Sequence, residues 1–124
     1  MYTVAPSPTG KEKRERDMPP KIITISESTR ANKKLMATTE QHGKKKVAHF
    51  GQRGSDDYTT TKNSTLRDMY IARHNPLSGE NWGKSGIMTP GWLARYILWE
   101  KKTVPAAVRA ASKKYADVKF RFNV

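Results

Sequence analysis

The chain has 124 residues with 24 lysines and arginines against 11 aspartates and glutamates, a formal net charge of +13, and no cysteine. That length holds one modest core and no more, and without cysteine neither disulfides nor thiolate metal sites can form. The longest apolar run, from Trp92 to Trp99, is broken by Arg95 and falls well short of the roughly 20 residues a bilayer span requires. A positive excess of this size favours phosphate-rich or acidic partners and says nothing about fold.

Residues 1–20 contain four prolines, one glycine, four basic and three acidic residues. Such a segment buries too little apolar surface to offset its ordering entropy, so an extended arm is predicted over 1–20 and a single domain over 21–124. No apolar stretch follows the first charges, so no secretory leader is expected.

Lys21 to Ser26 is rich in β-branched residues and reads as a strand. After a polar turn from Ser28 to Asn32, Lys33–Thr39 and Lys45–Phe50 read as a hairpin turning near His42-Gly43. Residues 51–63 read as loop, with Gly54 as a site of positive φ. Thr65 to Asp68 fits a capping box, opening a helix with Leu66, Met69, Tyr70 and Arg73 on one face. Asn75-Pro76 stops it.

A glycine-rich loop carrying Trp82 leads to Thr89-Pro90, a hydroxyl cap with proline in the first turn. The helix predicted there places Trp92, Tyr96 and Trp99 on one stripe with Leu93 and Ile97 beside it, which makes it central to the domain. Thr103 opens a further helix with Val104, Ala107, Val108, Ala111 and Tyr115 inward and Arg109, Lys113 and Lys114 outward. Residues 118–124 alternate as a half-buried strand. The predicted class is α+β: a hairpin and short strands packed with about three helices. Its core includes Tyr70, Trp92, Tyr96 and Trp99, and there is no internal repeat.

Candidate chemistry is sparse. His42, His49 and His74 lack the close ligand spacing of zinc sites. Adjacent Asp56 and Asp57 usually point apart, Gly51-x-x-Gly54 is no recognised phosphate loop, and Ser28, Ser55 and Ser85 have no base near them in the chain. No catalytic residue, metal, cofactor or small-molecule substrate is therefore expected. Arg95, set in an apolar helix, needs a carboxylate, with Asp57 and Asp68 as candidates. Lys33, Lys34, Lys44, Lys45, Lys46 and Arg53 would gather on a hairpin as a surface for phosphate or acidic protein. The plainer reading is a solvated edge whose lysines block strand addition. The aromatics lie on the apolar stripe and not among the bases, so single-strand stacking is not indicated.

The order Ser28-Thr29-Arg30-x-Asn32-Lys33-Lys34, Lys45-x-Val47-x-His49-Phe50-Gly51, Asp57-Tyr58-Thr59, Arg67-x-x-Tyr70-x-x-Arg73-His74 and Gly91-Trp92-Leu93-x-Arg95-Tyr96-x-Leu98-Trp99 carries a resemblance. It resembles a family of short, functionally uncharacterised proteins encoded by large nucleocytoplasmic DNA viruses of the chlorella-virus, iridovirus and marseillevirus types, over residues 21–108. The resemblance implies a viral, non-enzymatic protein. One expected role is a minor capsid or cement protein, found in the virion and in host cytoplasm during assembly. It would contact other capsid proteins through arm residues Tyr2, Val4, Pro6 and Pro8 and the basic surface. The alternative is a viral DNA-binding or nucleoid protein using the six bases named above. Inner-membrane-associated proteins are a further possible partner.

Overall fold

The computed structural model describes residues 20–123, so the contacts expected at Tyr2, Val4, Pro6 and Pro8 lie outside the described residues. β1 (Lys21–Glu27), β2 (Lys33–Gln41) and β3 (Lys44–Gln52) form an antiparallel meander. β4 (Val118–Asn123) returns parallel to β1 and gives the sheet order β3-β2-β1-β4. The hairpin between β2 and β3 turns on His42 and Gly43, with φ of 53° and 77°. Two successive positive φ angles match the right-handed twist of the flanking strands.

The helical part lies between β3 and β4. It comprises α1 (Tyr58–Thr61), α2 (Ser64–Arg73), two 3₁₀ turns (Pro76–Ser78 and Lys84–Gly86), α3 (Pro90–Leu93) with the π turn Ala94–Leu98 that continues it, and α4 (Val104–Ser112). The protein is thus a small α+β domain. Among the described residues no helix is long and apolar enough to cross a membrane.

Strand alternation sends Ile23, Ile25, Ala37, Phe50, Val118 and Phe120 into the core, where they meet Trp92, Leu93, Ile97, Leu98, Val108 and Ala111. The opposite face of the sheet carries Ile22 and Val47, both exposed. Trp92 is fully buried, its ring 5.5 Å from Phe120 and nearly parallel to it, and 4.6 Å from Tyr96. Tyr70 lies flat on Trp99 at 4.4 Å, and this stack attaches α2 to the core. The remainder of the apolar face expected on α2 is not buried: Leu66 and Met69 are exposed.

The caps differ from those expected. Asn63, not Thr65, caps α2, its side-chain oxygen accepting from the N–H groups of Thr65 and Leu66. A capping box does occur, eight residues earlier than a Thr65 to Asp68 box would start. Asp57 accepts from Thr59 and Thr60 N–H while the Thr60 hydroxyl accepts from Asp57 N–H, which makes a short helix inside the predicted loop. The one helix expected from Thr89 to Trp99 is interrupted. The Trp99 N–H donates to Ala94 C=O, five residues back. The wider turn re-aims the side chains beyond Ala94, so Ile97, Leu98 and Trp99 are all buried and Tyr96 is left half-buried at the side.

Asp57 is also the one buried carboxylate among the described residues, 2% exposed. Lys34 reaches across from β2, its Nζ 2.6 Å from Asp57 Oδ2, and donates as well to Ser55 C=O. An ion pair with one partner removed leaves an uncompensated buried charge, so Lys34→Met is expected to cost about 3–5 kcal/mol of unfolding free energy. Denaturant titration checks this; a loss below about 1 kcal/mol, the range of exposed pairs, would show that Asp57 does not depend on Lys34.

Candidate functional site

The hairpin register divides the predicted basic surface. Lys33 faces Gln52 at the open end of the hairpin, and Lys44 faces Gln41 beside the turn. At about 3.3 Å per residue, the Lys33–Lys34 and Lys44–Lys46 groups stand roughly 20 Å apart along the hairpin, so they do not gather as expected. Lys34 is committed to Asp57. Arg53 donates from Nε to Ala31 C=O and from its guanidinium to Lys33 C=O, both at 2.8 Å, and so fastens the turn between β1 and β2.

Lys46 instead joins a different set of cations. At the end of the sheet where β1 and β4 begin, Lys21, Lys46, Lys84 and Lys114 line an open groove of about 1150 Å³. Pro20, Ile87, Met88, Tyr115 and Val118 supply its apolar lining. Its one acid, Asp117, pairs with Lys84 at 2.8 Å, and that hydrogen bond holds the Asp117 carboxyl below its ordinary value. Lys114 sits 4.2 Å above the Tyr96 ring and Lys84 5.5 Å from the Tyr115 ring. The loop carrying Lys84 is drawn tight at Gly86, where a Cβ would fall 2.0 Å from the backbone oxygen of Asn81, so glycine is required for that approach.

A second groove, of about 440 Å³, runs between α4 and β4. Pro105, Val108, Phe120 and Phe122 form its floor, and Arg109, Lys113, Lys119 and Arg121 its rim; no carboxylate lines it. The Ser112 hydroxyl accepts from Phe120 N–H at 2.6 Å and donates to Phe120 C=O at 2.7 Å. It thereby occupies the backbone groups that the edge strand would otherwise offer at that residue. Lys119 Nζ donates to Ser112 C=O and Arg121 Nε to the Thr24 hydroxyl, which holds both stems along the sheet. Lys113 and Lys114, consecutive at the end of α4, border one groove each.

The sequence also signals the bases about the grooves: residues 91–124 hold eight bases against two acids. Lys44 and Lys45 are exposed beside the hairpin turn. Ser28, which has no base near it in the chain, has one in space: its Oγ lies 2.8 Å from His49 Nδ1. The same hydroxyl accepts from Arg30 N–H and so locks a local turn. Among the described residues no carboxylate orients His49, and the pair lacks the third group of a catalytic relay. Nor do the described residues contain a group of three or more histidines, aspartates or glutamates placed to hold a metal ion.

A polar cluster braces the aromatic segment. Arg95 donates to Glu100 at 2.6 Å, not to the predicted Asp57 or Asp68, and its guanidinium lies over the Trp82 and Tyr96 rings. Arg67 of α2 reaches the same Glu100 oxygen at 3.2 Å. Burial pushes the Glu100 carboxyl up, but the Arg95 hydrogen bond and the charges of Arg95 and Arg67 outweigh it and hold the group below its ordinary value of 4.5. Beside it Tyr70 is pushed up to about 12, chiefly by burial and secondarily by Glu80. The cluster fixes the loop, α2 and the π turn relative to one another.

A family model described as a family of unknown function (DUF5754) matches residues 23–74, from β1 to the end of α2. The matched stretch contains the Ser28–Lys34, Lys45–Gly51, Asp57–Thr59 and Arg67–His74 pieces, and it ends before α4, β4 and their grooves. No curated protein and no solved structure matches the chain.

Because the folded carboxyl of Glu100 titrates below its unfolded value, its contribution to stability is complete above pH 4.5 and is lost as pH falls through the lower folded value. Glu100→Gln should therefore lower stability at neutral pH and flatten the decline in that acidic window, read from denaturant midpoints against pH. Parallel curves for the two proteins would show that Glu100 carries no such linkage.

Proposed function

We propose that the protein is a non-catalytic structural component of a large viral particle, a minor capsid protein that joins neighbouring shell proteins by adhesion. The observation that carries this reading is the pairing of apolar floor with cationic rim in both grooves, without a free acid in either. A duplex backbone offers phosphates on a convex surface and no apolar groups to fill such a floor. An acidic polypeptide surface offers both. The viral setting is supported by the residue order that resembles proteins of large DNA viruses. The family match falls within the residues that carry that order.

On this reading the contacts are spread over several weak surfaces. Exposed Ile22 and Val47 on the outer face of the sheet and Leu66 and Met69 on α2 add apolar area. The arm, with Tyr2, Val4, Pro6 and Pro8, adds a tethered second contact, which raises affinity through effective concentration. Binding is then of protein to protein in the virion, after assembly in host cytoplasm.

A viral nucleic-acid-binding role is the second reading, favoured by the accumulation of Lys21, Lys46, Lys84, Arg109, Lys113, Lys114, Lys119 and Arg121 about two neighbouring grooves. It requires affinity that falls steeply with salt as phosphates are neutralised.

Osmotic rupture of purified particles separates the readings. The protein is expected to stay with the shell when DNA is released, detected by mass spectrometry of each fraction. Release with the DNA, together with nanomolar oligonucleotide binding at physiological salt that is lost in Lys21→Ala/Lys46→Ala/Lys114→Ala, would overturn the capsid reading.

A further inference from the structure

We propose that the groove between α4 and β4 is a docking site for an acidic polypeptide segment that carries apolar side chains between its carboxylates. This deepens the adhesion reading and rests on it. The rim is charged on both sides, with Arg109 and Lys113 on the helix and Lys119 and Arg121 on the strand. Among the described residues none of these four is ion-paired, whereas Lys34, Arg67, Lys84 and Arg95 all are. Four like charges around a small concavity repel one another, and a ligand bearing carboxylates relieves that repulsion.

The floor selects among acidic ligands. Val108 and Phe120 are almost fully buried, and above them half-buried Phe122 and exposed Pro105 leave a narrow apolar strip that carboxylates alone would not cover. Nucleobases find a single half-buried ring there, that of Phe122, because Phe120 is 6% exposed and already stacked on Trp92. Strand addition is also blocked, because Ser112 holds the Phe120 backbone groups. Recognition therefore runs through side chains: carboxylates to the rim and apolar groups to the strip.

The test is fluorescence anisotropy with the full chain and a labelled twelve-residue peptide alternating glutamate with leucine. The comparison probes are an all-glutamate peptide of equal length, a twelve-residue oligothymidylate and phosphatidylserine vesicles. The glutamate–leucine peptide is expected to bind best. Arg109→Glu/Lys113→Glu should weaken it at least about tenfold, while Lys101→Glu/Lys102→Glu, an equal change of charge away from the groove, should shift it less than about twofold. All four residues are exposed, and thermal unfolding of each variant confirms that the fold is kept.

Equal losses in both variants would reduce the effect to net charge and overturn the proposal. So would groove-dependent binding of the oligonucleotide or the vesicles in preference to the peptide. The particle experiment keeps the two levels apart. Retention in the shell without groove-dependent peptide binding sinks the groove alone, and groove-dependent peptide binding by a protein that leaves with the DNA sinks the capsid reading alone.

Discussion

The Lys34–Asp57 pair is the constraint on which the arrangement of the two halves depends. Asp57 is buried and a charge there needs partners, and it has four: Lys34, the N–H groups of Thr59 and Thr60, and the Thr59 hydroxyl. The first anchors it to the meander and the others make it the start of the helical segment. One carboxylate thus fixes where the chain leaves the sheet and in which direction it turns. Fully partnered buried pairs often contribute little net stability. Another path for residues 53–63 would strand the charge, so the pair disfavours such paths.

From that point a line of aromatic contacts carries order across the domain. Tyr70 stacks on Trp99 and Trp92 stacks on Phe120, so α2, the π turn and β4 are held by a few large flat surfaces. The Arg95–Glu100–Arg67 cluster closes the polar side of the same segment. Both grooves sit at the far end of this line, where α4 and β4 meet. Their cationic rims are tolerable because most of those side chains keep their charges in water and only their stems pack.

The elements that sequence reasoning recovers are those with a clear local signal. α4 and the alternating β4 follow from spacing of three and four or of two residues, while β1 follows from its β-branched content and the hairpin from the turn at His42-Gly43. What it misses depends on contacts remote in the chain or on a broken period. Lys34 and Asp57 are 23 residues apart, and Ser28 and His49 are 21 apart. Arg95 and Glu100 are only five apart. On a continuous α-helix that spacing does not place two side chains together, so the pair becomes visible only once the π turn is known. The separation of the hairpin lysines is hidden from the sequence for a related reason. Lysines near a hairpin can lie at its turn or its open end, and only the register puts Lys44–Lys46 at one and Lys33–Lys34 at the other. The grooves themselves depend on β4 lying beside β1, a pairing of the two ends of the domain that no local pattern announces.

That pairing has a mechanical consequence. β1 and β4 run parallel with six residues in register, from Lys21 opposite Val118 to Ser26 opposite Asn123. Tension applied at Lys21 and at Asn123 pulls these strands lengthwise past each other. The rungs of the ladder are then loaded in shear, all at once, and cannot open one after another like a zip. A link strung between two partners by its ends would in this way resist stretching far better than its modest size suggests.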